Sequence, residues 1–163
     1  DRDNNVLRLT NFHRVDTFNA TVSADGHLVF FSASADPGTN PTENCQIFSI
    51  DRTGGDLRQL TDFHEGPEGR RSTNGCSFGR KPFGCGSFFT GRDIQTGAVL
   101  FYSTCDPFGT NPNGSQLFSI HDDGTGLRQL TKTQGYTRDA SGAVTVELPF
   151  PFAWPGFVLR NQL

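Results

Sequence analysis

Four cysteines, four histidines and two acidic loops are the residues of this 163-residue chain with chemistry to offer. The cysteines stand at positions 45, 76, 85 and 105, and no Cys-x-x-Cys spacing occurs, which argues against a zinc ribbon or a dithiol redox motif. Cys76 and Cys85 bracket a loop with little strand pattern, where a disulfide restrains an unfolded chain. Cys45 and Cys105 sit at opposite ends of two related loops and offer a second bridge. Four cysteines allow three pairings, and four reduced thiols are the alternative to all of them. Disulfides would place the chain in a secreted or periplasmic setting.

The two related loops are 33–45 and 104–115, each containing Asp-Pro and Gly-Thr-Asn-Pro, which form turns. They carry Asp36, Asn40 and Glu43 in the first and Asp106, Asn111 and Asn113 in the second. Oxygen ligands gathered in a turn suit calcium, but the spacing is not that of an EF-hand, and Asx turns account for the same residues. His13 and His64 follow Leu-Thr-Asn-Phe and Leu-Thr-Asp-Phe, so they share a position in a repeat; Gln134 holds it in a third copy. A pair of histidines there could bind a metal or an acidic group, but a recurring packing position is the plainer explanation, and Gln134 in the third copy weakens any ring of ligands. No Gly-x-Ser-x-Gly elbow occurs, and no Ser/His/Asp set has supporting context. The expectation is a non-catalytic chain without a resident cofactor.

The elements that position these residues come from an internal repeat. Gln46-Ile-Phe-Ser-Ile-Asp-Arg-Thr-Gly-Gly-Asp-Leu-Arg-Gln-Leu-Thr61 returns as Gln116-Leu-Phe-Ser-Ile-His-Asp-Asp-Gly-Thr-Gly-Leu-Arg-Gln-Leu-Thr131, and a shorter relative spans 1–10. Upstream halves end in Gly26, Gly97 and Gly142 and run on into Leu28–Ser32, Ala98–Ser103 and Ala143–Glu147. Phe, Ile, Val and Thr dominate these runs and favour strands, and glycine supplies the positive φ of tight hairpins. The unit is strand, turn, strand, loop, strand, turn, strand. Four antiparallel strands of this length suit a propeller blade.

These residues resemble the TolB-type, WD-like propeller repeat, roughly Ser-Pro-Asp-Gly-x-x-Ile-x-Phe-x-Ser followed by Ile-Tyr-x-x-Asp-x-x-Gly and Leu-Thr. Residues 1–61 and 97–148 carry the resemblance, with Ala24 in place of the usual Pro and Phe48 and Phe118 where Tyr is common. It implies an all-β propeller of about three blades per chain, 11–61, 62–131, and 132–163 joined with 1–10, forming a single domain over 1–163. The termini would share one split blade, with Gly156–Arg160 as its third strand. It also places His13 and His64 near one mouth of the channel.

Propellers close with about 4–8 blades, so three leave open edges. Either two chains complete each other's split blade as a homodimer or larger assembly, or the chain belongs to a longer propeller. The chain holds no Met, which fits a processed chain or an excised piece. Residues 62–89 form a large insertion, and the aromatic, proline-rich stretch 148–157 is too apolar to stay free in water. A net charge of −3 argues against nucleic acid, and no apolar run approaches the roughly 20 residues that span a bilayer. The expected function is extracytoplasmic protein binding or scaffolding. The alternatives are a self-assembling subunit and the accessory propeller of a prolyl-oligopeptidase-like hydrolase.

Overall fold

The computed structural model describes residues 6–12, 17–41, 43–63, 86–110, 116–132, 136–138, 141 and 144–147. Among these the protein is all-β, with no helix. The first sheet is β1 (Thr17–Val22), β2 (Leu28–Ala33), β3 (Gln46–Asp51) and β4 (Arg58–Gln59), hydrogen-bonded in chain order. The second repeats it with β5 (Ser87–Arg92), β6 (Val99–Ser103), β7 (Gln116–Ile120) and β8 (Arg128–Gln129). A hairpin of β9 (Tyr136–Arg138) and β10 (Val144–Glu147) follows. Every pairing is antiparallel, so the two four-stranded sheets expected from the repeat are present.

The register repeats with the sequence. Phe31 pairs with Phe48 and Phe101 with Phe118; Phe48 pairs with Gln59 and Phe118 with Gln129. The first hairpins of the two four-stranded sheets break register at a matching place on their first strand, between Phe18 and Thr21 and between Phe89 and Gly91, whereas the β9–β10 hairpin breaks on its second strand, between Val144 and Val146. An extra residue on one strand sharpens local twist.

Alternation along the strands fixes which face goes where. Phe31, Ala33, Phe48 and Ile50 point to one side of the first sheet and pack with Leu9 and Phe12. Phe30 and Ile47 point to the other side and join Phe89, Val99, Phe101, Phe118 and Ile120 of the second sheet. The second sheet therefore lies on the first through the face that, in the first sheet, is covered by residues 9–12. Polar links tie the two together: Ser32 Oγ accepts from the Phe89 amide at 2.6 Å, and the Cys45 carbonyl accepts from the Ser87 amide at 2.7 Å.

Candidate functional site

The predicted site residues are not gathered in one place. Asp36 Oδ1 accepts from the amides of Gly38 and Asn40, both at 2.8 Å, which is an Asx turn rather than a cation cage. Asn40 is fully buried; its Nδ2 donates to the carbonyls of Ala35 at 2.9 Å and Asn44 at 2.8 Å, and its Oδ1 has no partner. Glu43 is exposed and sits at positive φ, its amide bonded to the Asn40 carbonyl at 2.9 Å. In the second loop the Asp106 carbonyl accepts from the Gly109 amide at 3.5 Å. Among the described residues no three His, Cys, Asp or Glu side chains are grouped to hold a metal, whereas calcium takes six to eight oxygens. Asn111, Asn113, His13 and His64 lie outside the described residues.

Cys45 and Cys105 are both disulfide-bonded and fully buried. Cys105 packs among the inter-sheet aromatics, while Cys45 lies beside Gly86, whose amide bonds Thr104 Oγ1 at 3.0 Å. Cys76 and Cys85 lie outside the described residues, and with them the expected Cys76–Cys85 loop bridge. The intact mass of the unreduced chain should fall four hydrogens below the all-thiol value and return to it on reduction; a deficit of two would mean one bridge only.

What the structure does bring together is a joint between successive repeats. Phe63 leaves the first sheet and sets its ring 6.1 Å from Phe101 and 6.1 Å from Phe118, which stack on each other at 5.6 Å. One repeat earlier, Phe12 sits 6.3 Å from Phe31 and 6.4 Å from Phe48, which stack at 5.8 Å. The turn glycines take part. Gly54 and Gly124 hold φ of +91° and +85°, and the open side of each faces backbone, that of Leu9 and of Leu60 respectively. Positive φ at these hairpin tips suits glycine.

A polar clasp marks the same positions. Gln59 Nε2 donates to the Thr61 carbonyl at 2.7 Å, Gln129 Nε2 to the Thr131 carbonyl at 2.8 Å, and Arg8 Nε to the Thr10 carbonyl at 2.8 Å. So residues 6–12 stand before the first sheet as 57–63 stand before the second. Within the shared Leu-Thr-Asx-Phe the repeated Phe makes the joint.

Carboxylates lock the hairpin tips. The Thr53 hydroxyl and amide hold the Asp51 carboxyl below its usual range, and those of Thr125 do the same for Asp123. The Ser23 hydroxyl lowers Asp25, the Asn40 amide lowers Asp36, and the Gln95 amide lowers Asp93. A carboxyl whose folded pKa is depressed stabilises the fold above its unfolded value of about 3.9 and loses that contribution as pH falls through the folded one. The urea midpoint should be level from pH 7 to about pH 5 and decline below about pH 4. Asp51→Asn should shrink that decline, and an unchanged decline would remove the carboxyl from the argument.

Comparison of the chain with protein-family models, with curated proteins and with solved structures gives no match.

Proposed function

We propose that this chain is a non-catalytic protein-interaction module of the propeller-repeat type, working outside the cytoplasm. One observation carries the reading: the joint made by Phe63 between the two sheets is already repeated by Phe12 before the first. Stacked sheets joined by repeated aromatic contacts offer the extended apolar surface that protein segments cover. The disulfide-bonded Cys45 and Cys105 favour an oxidising compartment.

A second reading is a self-assembling subunit in which one chain completes the unit begun by another. The exposure of Val6 and Leu7, at 97% and 62%, favours it. Leu57 and Leu127, which stand where Val6 stands in the other repeats, pack against apolar cores.

Sedimentation velocity over a concentration series, with hydrogen exchange on the same samples, tests both. A 17.8 kDa monomer with fast exchange over residues 7–10 supports a module that takes a partner from outside. A dimer or a ladder of multiples supports self-assembly. A monomer with those amides protected is closed on itself and overturns both.

A further inference from the structure

Asn19-Ala20-Thr21 fits the pattern Asn-x-Ser/Thr that an oligosaccharyl transferase reads, an amide nitrogen with a hydroxyl two residues on. The triplet lies wholly within β1. Acceptors of this kind belong on exposed surface, and a register break supplies it here. Phe18 pairs with Ser32 and Thr21 with Phe30, so Asn19 and Ala20 together face the single residue Phe31. A bulge of this kind re-aims a side chain. Asn19 sits in it at a φ of +46°, in the left-handed region that asparagine enters more readily than most residues. Its side chain is exposed, and Thr21 is half-buried.

Nothing in the fold calls for asparagine at this place. Thr17 pairs with Ala33 and Ala33 with Gln46, just as Ser87 pairs with Ser103 and Ser103 with Gln116, so Phe89 is the counterpart of Asn19 in the second sheet. Phe89 is buried in the core between the sheets, where Asn19 is exposed. Asn19 Nδ2 donates to the Phe89 carbonyl at 3.3 Å, a long bond that uses one of its two hydrogens. Asn40-Pro41-Thr42 is the contrast within the same chain. Proline at its centre disqualifies it, and Asn40 is fully buried with Nδ2 donating to two carbonyls. Asn113-Gly114-Ser115 also fits the pattern and lies outside the described residues.

We infer that Asn19 is an acceptor for an N-linked oligosaccharide. The donor class is an oligosaccharide carried on a polyisoprenyl diphosphate. The bond from Nδ2 to C1 of the first sugar forms as the bond from C1 to the diphosphate oxygen breaks. The diphosphate leaves with the electron pair, Nδ2 gives up one proton, and nothing is oxidised or reduced. The hydrogen left on Nδ2 can still donate to the Phe89 carbonyl, so the contact that orients the side chain is compatible with the sugar. The disulfide-bonded Cys45 and Cys105 suit the oxidising compartment in which secreted chains receive such sugars.

The inference rests on the extracytoplasmic reading and is tested apart from it. The full chain is secreted from a eukaryotic cell and treated with peptide N-glycosidase in heavy-oxygen water, which turns each glycosylated asparagine into a labelled aspartate. Peptide mapping then reads each position. We expect the label at Asn19 in most molecules and none at Asn40. Asn19→Gln and Thr21→Val should each abolish it, Thr21→Ser should keep it, and the urea midpoint of Asn19→Gln should match that of the enzymatically deglycosylated chain. A secreted, disulfide-bonded chain without label at Asn19 overturns the site and leaves the compartment reading standing. A label that survives Thr21→Val, or that forms without the glycosidase, is spontaneous deamidation and overturns it as well. A chain that is retained in the cell with its cysteines reduced overturns the compartment reading and the site together.

Discussion

Phe118→Ala should cost the fold about 3–5 kcal/mol, the range for deleting a fully buried aromatic from a close-packed core. The residue has no exposed surface and is surrounded by rings: Phe101 stacks at 5.6 Å, Phe63 lies at 6.1 Å, and Phe108 covers it at 6.4 Å. These neighbours belong to two sheets. Phe101 is pinned in the middle of the second, and Phe63 is held at the end of the first by bonds from its backbone to Gln46. None can fall far into the hole without breaking a ladder, so the cavity persists and adds its own penalty. Set against a typical total of about 5–15 kcal/mol, that loss leaves a marginal protein. Urea denaturation of purified protein measures it.

The companion substitution makes the result diagnostic. Phe48 occupies the same place in the first sheet, is equally buried, and stacks on Phe31. Its cover is Phe12, half-buried on a segment without strand partners among the described residues. That segment can settle into a cavity at little cost, and the cost of a deletion depends on how well the site collapses. Phe48→Ala should therefore be the milder of the two by about 1 kcal/mol or more. Equal losses would mean that residues 6–12 are held as firmly as 57–63.

Much of this was legible in the chain because the repeat is written in residues that act locally. Gly54 and Gly124 announce hairpin tips because few other residues take a φ near +90°. Alternation in Val99-Leu-Phe-Tyr-Ser103 gives a strand with one deeply buried face, as found. The joint was harder to see. Phe12 and Phe63 are single aromatic residues beyond the ends of strands, and no periodicity marks them; their role depends on how one sheet lies upon the next. The acidic loops admit two readings from sequence, and at Asp36 the Asx turn is the one found. Asp36 bonds two amides of its own turn, which sequence composition cannot tell from a ligand awaiting a cation. Whether the stack curves into a closed ring depends on contacts between units, which the sequence of one unit does not encode.

Gln46→Leu should cost about 3 kcal/mol although leucine nearly matches glutamine in volume. The side chain is fully buried and bonds four groups. Its Oε1 accepts from the Thr61 hydroxyl at 2.7 Å and the Phe63 amide at 3.3 Å, and its Nε2 donates to the Phe63 carbonyl at 2.6 Å and Asn44 Oδ1 at 3.1 Å. Leucine fills the space but answers none of them. The Phe63 carbonyl keeps Asn44 Nδ2 as a donor, so the loss falls on the Phe63 amide and the Thr61 hydroxyl. Each buried polar group left without a partner costs about 1–3 kcal/mol. Thr61→Val added to Gln46→Leu removes the orphaned hydroxyl but takes from the Ile47 amide its Thr61 Oγ1 acceptor, so the double variant should recover nothing, yet cost less than the sum of the two single changes because they share the lost Thr61–Gln46 bond. In the second repeat the Thr131 hydroxyl is only half-buried, so water can replace the bond it would lose in Gln116→Leu. Thr10→Val should leave the stability of the chain alone unchanged, since its hydroxyl answers no glutamine there. That gradient, from Thr61 through Thr131 to Thr10, measures how much each threonine hydroxyl contributes to holding the fold. A Thr10→Val variant as destabilised as Thr61→Val would show that the first clasp is already closed.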